Sequence, residues 1–191
     1  MRFLVVFGFL ACAACGQGES VGAVAPGNID AVKIASVEGR GGCGIDDAWR
    51  VSAVAGIPLS RDVRLSRRAM VALDRWVAQG AIPAVGSQGG GLAQLRVAAD
   101  YACRTRNNRP GARLSEHALG NAIDFSGFVL RDGTRLTVLN DWTSANRGVM
   151  RRLWQSACGP FGTVLGPNAD RFHQDHFHFD VAEYRSGSYC R

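Results

Sequence analysis

The order of apolar and polar side chains separates an unpatterned start from a patterned remainder. Residues 16–42 are rich in Gly, Ala and Val, hold few large side chains and keep no period. They read as a flexible tether ahead of a folded domain over residues 43–191, whose first folded residues are Asp46-Asp47-Ala48-Trp49. Ser66 to Gln79 places Met70, Leu73, Trp76 and Val77 at helical spacing, with Gly80 where a helix would stop. After the Gly89-Gly90-Gly91 loop, Leu95, Val97, Ala99, Tyr101 and Cys103 alternate with Arg96, Ala98, Asp100, Ala102 and Arg104, which predicts a strand. Asn121 to Phe128 predicts a second strand. Arg131-Asp132-Gly133-Thr134 between apolar runs predicts a hairpin reaching Leu139. Asn146 to Ala157 carries Val149, Leu153, Trp154 and Ala157 on one helical stripe closed by Gly159-Pro160. Thr163–Leu165 and Asp175–Val181 read as further strands, joined through the turn Gly166-Pro167-Asn168. Strands that neighbour through hairpins, with helices before and between them, predict an α+β fold with a largely antiparallel sheet and flanking helices.

Composition narrows this to one domain. A chain of 191 residues with 47% hydrophobic content supports a single real core. The N-terminus, Met1-Arg2-Phe3 through Leu10-Ala11-Cys12-Ala13-Ala14-Cys15, has one positive charge, a short apolar run and small residues. It reads as a secretory signal over residues 1–15, too short to span a bilayer. Cys12-Ala13-Ala14-Cys15 resembles a lipobox, with Cys15 the candidate lipidated residue; cleavage without lipid stays open. Both alternatives place the protein in a bacterial cell envelope, either periplasmic or membrane-anchored.

Export leaves Cys43, Cys103, Cys158 and Cys190, an even number in a compartment that permits disulfides. Of three connectivities, Cys43 with Cys103 and Cys158 with Cys190 is favoured, because the second pair would hold the C-terminus. The formal net charge is +6. Arg50, Arg61, Arg64, Arg67, Arg68 and Arg75 fall in stretches read as helix without interleaved aromatics, which argues against nucleic acid as a partner. The charge is compatible with an anionic wall polymer or membrane surface.

The four histidines occupy two stretches, Ser115-Glu116-His117 to Asp124 and His173 to His178. Imidazole with carboxylate is a common zinc ligand set. In Asp175-His176-Phe177-His178-Phe179-Asp180-Val181, period two sends His176, His178 and Asp180 to one face and Phe177, Phe179 and Val181 to the other. Asp124, flanked by Ile123 and Phe125, would be costly to bury without a cation or hydrogen bonds.

Ser115-Glu116-His117-Ala118-Leu119-Gly120-Asn121-Ala122-Ile123-Asp124 resembles the SxHxxGxAxD signature of zinc peptidases that include D-alanyl-D-alanine carboxypeptidases, murein endopeptidase, lysostaphin-type enzymes and the hedgehog domain. His176-Phe177-His178 resembles their HxH motif. From Cys43 to Arg191, the run through Tyr101-Ala102-Cys103-Arg104, Asp141-Trp142, Ala157-Cys158, Val164-Leu165-Gly166-Pro167 and Tyr189-Cys190-Arg191 resembles the bacterial extensin-like C-terminal domain family.

This resemblance implies a hedgehog/D,D-peptidase-like fold. It also implies Zn2+ held by His117, Asp124 and His178, with His176 as base or proton relay and Asp175 as the rival base. Arg104, at the end of its strand, would bind a substrate carboxylate or an oxyanion, while His173, Asp180 and Ser115 play outer roles. The implied activity is hydrolysis of an amide in peptidoglycan peptides by a D,D-carboxypeptidase or D,D-endopeptidase. The alternative is a non-catalytic zinc module that binds cell wall or a partner. A secreted nuclease is disfavoured, since neither motif resembles a nuclease.

Overall fold

The computed structural model describes residues 28–191. The signal, Cys15 and the start of the tether lie outside them. The strands are β1 (Asp30–Lys33), β2 (Val37–Glu38), β3 (Gly44–Ile45), β4 (Ala48–Val54), β5 (Ile57–Ser66), β6 (Leu92–Ala99), β7 (Ala122–Leu130), β8 (Arg135–Thr137), β9 (Thr163–Leu165), β10 (Phe177–Asp180) and β11 (Tyr189–Cys190). The helices are α1 (Arg67–Trp76), α2 (Ile82–Val85), α3 (Val138–Asp141) and α4 (Arg147–Gln155). A mostly antiparallel sheet runs in the order β1-β4-β5-β6-β7-β10-β9-β11, with β8 paired to β7. Among the described strands, the β5–β6 and β9–β11 pairings are parallel and the others antiparallel. No helix among the described residues is long and apolar enough to cross a membrane.

Several elements depart from the sequence pattern, each for a local reason. Residues 30–33, inside the stretch read as tether, pair antiparallel with β4 as an edge strand, and β2 pairs with β3. Arg50, Arg61 and Arg64 sit on the β4–β5 hairpin rather than on helices. In this hairpin the apolar alternation Ile57, Leu59, Val63 and Leu65 of β5 is interrupted by exposed Arg61, and that of β4 by a register shift between Val51 and Ala53. Its two-residue turn uses Ala55 (φ 48°) and Gly56 (φ 73°), and the Ala55 amide donates to Asp74 Oδ1 at 2.8 Å. A left-handed alanine is an uncommon turn signal, so the hairpin hides in the sequence.

Helix α1 starts where Ser66 Oγ accepts from the Ala69 amide, but the helical path does not stop at Gly80. It runs through a π-helical turn, Val77–Ala81, into α2. A Cβ on Gly80 would lie 2.8 Å from Ser156 Oγ and 2.9 Å from Trp76 Cδ1, so the glycine serves close packing rather than termination. Strand β6 ends at Ala99, leaving Arg104 in irregular chain. The hairpin strand β8 stops at Thr137, whose Oγ1 accepts from the Asn140 amide and starts α3.

The core lies between the helices and one sheet face. Trp76 stands at its centre, with ring centroids 5.0 Å from Phe179 and 5.4 Å from Phe125, and its Nε1 donates to Ser156 Oγ at 3.0 Å. Replacing Trp76 by alanine empties a large fully buried site and is expected to cost about 3–5 kcal/mol, measured as a lower urea midpoint with unchanged slope.

Both disulfides form as favoured, Cys43–Cys103 and Cys158–Cys190, with Cα atoms 5.5 and 6.2 Å apart. They indicate an oxidising compartment outside the cytoplasm. The first anchors the β3 region near the segment leading to His117. The second holds β11 against the end of α4.

Candidate metal centre

The core side of β7 and β10 fixes what appears on the other side. Phe125, Phe177 and Phe179 are fully buried in the core, so the residues between them project to the opposite face. The antiparallel register sets His178 directly across from Asp124. His117 arrives from a 3-10 turn, Glu116–Leu119, capped by Ser115 and closed by Gly120 at φ 65°. A Cβ on Gly120 would lie 2.4 Å from Ile45 Cδ1, so both the left-handed backbone and the close approach require glycine there.

These three residues converge. His117 Nε2 is 3.2 Å from Asp124 Oδ2 and 3.2 Å from His178 Nδ1, and His178 Nδ1 is 2.9 Å from Asp124 Oδ1. Donor atoms at about 2 Å from one cation stand roughly 3–3.5 Å apart, and these separations are close to that, each imidazole meeting a different oxygen of Asp124. The outer nitrogens are held as well. His117 Nδ1 meets the Asp100 carbonyl at 2.7 Å, and a carbonyl only accepts, so Nδ1 carries the proton and Nε2 presents its lone pair inward. His178 Nε2 bonds Asp180 Oδ2 at 3.0 Å, leaving Nδ1 to face the same point. The buried His117, Asp124 and His178 can therefore hold a metal ion.

Burial alone would raise the Asp124 carboxyl, but hydrogen bonds and charge from His117 and His178 outweigh it and hold the group well below the usual carboxylate range. Burial likewise opposes charge on His178, yet Asp124 and Asp180 push its pKa up to about 9. Asp180 is itself lowered against its burial, by His178 and by Thr163. Thr163 Oγ1 bonds Tyr184 Oη at 3.1 Å, which carries the support of His178 out to the surface. Losing such an outer partner typically costs about 10–100-fold in metal affinity. Asp180→Asn is therefore expected to weaken binding of a divalent metal by that factor, read by competition with a chelating dye.

The site floors a cleft of about 470 Å3. His176 Nε2 reaches it, 3.7 Å from Asp124 Oδ2, while His176 Nδ1 bonds Asp175 Oδ1 at 2.8 Å. The Asp175 side chain is 69% exposed and does not line the cleft, so it is placed to orient His176 rather than to meet a substrate. His173 lines the wall with Nδ1 on Asp170 Oδ1 at 2.8 Å. Its pKa is lowered, chiefly by burial, with Asp170 acting in the opposite direction. Arg104 lines the cleft and, among the described residues, has no carboxylate within ion-pair distance.

The pattern did not single out Asp100, which acts through its backbone, or Tyr184, which comes close to the site only in three dimensions. Asp170 and Phe172 lie three and one residues before His173, and that closeness in sequence is their one readable signal.

Fold and site together define a mixed α/β protein, disulfide-bonded, with a buried His-Asp-His centre at the base of an open cleft. The model for the extensin-like protein C-terminus matches residues 20–191, and the chain belongs to that family. No curated protein and no solved structure matches it significantly.

Proposed function

We propose that this chain is an exported zinc metallopeptidase that hydrolyses an amide bond in peptidoglycan peptides, as a D,D-carboxypeptidase or D,D-endopeptidase. The observation that carries the reading is the triangle of His117 Nε2, Asp124 and His178 Nδ1 with both outer imidazole nitrogens anchored. Two histidines and a carboxylate suit zinc and leave a fourth position open. A zinc ion held there would supply Lewis acidity toward a scissile carbonyl and toward water.

The chain's own groups provide the rest. His176, oriented by Asp175 through Nδ1, presents Nε2 into the cleft, where it can take a proton from water and pass it to the leaving amine. Arg104 offers a cation for a substrate carboxylate or a developing oxyanion. The SxHxxGxAxD and HxH resemblances support placement in the hedgehog/D,D-peptidase superfamily. The signal-like N-terminus supports an envelope address, with a lipid on Cys15 as the anchor. The oriented His176 favours hydrolysis over the alternative of a zinc module that only binds.

Incubating purified protein with muropeptides, with and without chelator, tests the reading. The expected result is a chelator-sensitive product from a D,D-linked stem or crosslink. No product from any stem peptide would overturn it.

A further inference from the structure

The sheet face that carries the metal centre continues beyond it. On β7, Asp124 points away from the core next to Phe125, and past the register shift at Ser126, which puts both Phe125 and Phe128 in the core, Val129 points the same way between Phe128 and Leu130. The register places Gln94 and Arg135 on either side of Val129, so all three share that face. Together with Ser60, Arg96 and Gly133 they line a second cleft of about 360 Å3. The two clefts are set along one strand, with Asp124 and Val129 about 16 Å apart at the usual rise of about 3.3 Å per residue.

This second cleft holds two arginines without counter-ions. Among the described residues, neither Arg96 nor Arg135 has a carboxylate within ion-pair distance. The nearby acidic groups are engaged elsewhere. Asp62 faces Arg50 at 3.9 Å, Asp100 pairs with Arg61 at 2.8 Å, and Asp132 Oδ1 accepts from the Thr134 amide at 2.8 Å. Among the described residues, the long helices α1 and α4 leave this side of the sheet uncovered, since they bury their apolar stripes in the core on the other side.

We propose that the Arg96–Arg135 cleft is an anion subsite that grips carboxylates of an extended wall polymer while another part of the same strand enters the metal cleft. This rests on the peptidoglycan reading above. The geometry suits a carboxylate-rich chain, because two forked guanidiniums on a flat open face bind planar carboxylates well. A reach of about 16 Å corresponds to roughly five residues of extended peptide. A small soluble substrate would not span both clefts, so the subsite would govern polymer affinity and leave turnover of short stems unchanged.

The test is co-sedimentation of the mature protein with isolated peptidoglycan sacculi at low salt, using Arg96→Glu/Arg135→Glu. The control is Arg75→Glu/Arg147→Glu, which makes the same net charge change on the helical side, and thermal melting checks that each variant folds. The expected result is that the Arg96/Arg135 variant loses about tenfold or more in affinity and the control keeps its affinity. Sacculi whose carboxylates have been converted to amides bind wild type as weakly as that variant, and added salt removes the difference. Sedimentation equal to wild type by the Arg96/Arg135 variant, or equal losses in both variants, would overturn the subsite. So would undiminished binding to amidated sacculi together with Arg96/Arg135-dependent binding to phosphatidylglycerol vesicles, which would assign the patch to a membrane. His178→Ala separates the two proposals. That variant is expected to keep arginine-dependent sacculus binding while cleaving nothing, whereas arginine-dependent binding by a wild-type protein that cleaves no muropeptide would leave the subsite standing and remove the peptidase.

Discussion

His178→Ala is expected to abolish chelator-sensitive hydrolysis and to lower zinc affinity by more than about 100-fold, beyond the effect of losing only an outer partner. His178 has two tasks, and alanine removes both. Its Nδ1 is one corner of the donor triangle, and its Nε2 carries the bond to Asp180. Asp124, almost fully buried, then keeps only His117 as a close partner in the floor of the cleft, with His176 farther away at 3.7 Å. Breaking a buried charged pair typically costs about 3–5 kcal/mol, so the metal-free variant should also melt lower than metal-free wild type. Zinc content by mass spectrometry, taken with melting curves in chelator, separates lost ligation from lost fold. A folded His178→Ala protein that retains one zinc per chain would show that the triangle is not the metal centre.

What the sequence reveals about this site follows from periodicity. The strand Phe177–Asp180 shows both its faces, because apolar Phe177, Phe179 and Val181 alternate with polar residues, and the fold keeps that alternation. The partnership of His178 with Asp124 is different. It depends on antiparallel register between strands 54 positions apart, which no local pattern encodes. The resemblance to a known signature, not the spacing, brought those residues together on paper. The β4–β5 hairpin was illegible for another reason, since a register shift breaks its alternation and a left-handed alanine replaces the usual Asn-Gly turn. Gly80 shows the opposite failure: a residue that looks like a stop is present because the backbone packs closely against Ser156. Asp175 is legible as a candidate but its contact is not, because the strand begins at Phe177 and leaves Asp175 free to turn outward and bond His176.

That geometry sets the second large effect. His176→Ala is expected to lower kcat by about 10²–10⁴-fold, the usual contribution of a positioned acid–base group, while zinc content stays at wild-type level. The contrast with His178 is the informative part, because the two residues are two positions apart yet only His178 belongs to the donor triangle. Asp175→Asn keeps an acceptor oxygen on His176 Nδ1 but removes the carboxylate charge, so its loss should be smaller than that of His176→Ala. KM should move less than kcat in either variant, since both keep Arg104 in the cleft. Were Asp175 itself the base, Asp175→Asn would match or exceed His176→Ala. The 69% exposure of its side chain, turned outside the cleft, argues for the opposite order. Steady-state kinetics of the two variants on one cleaved muropeptide, each checked for stoichiometric zinc, measures that order directly.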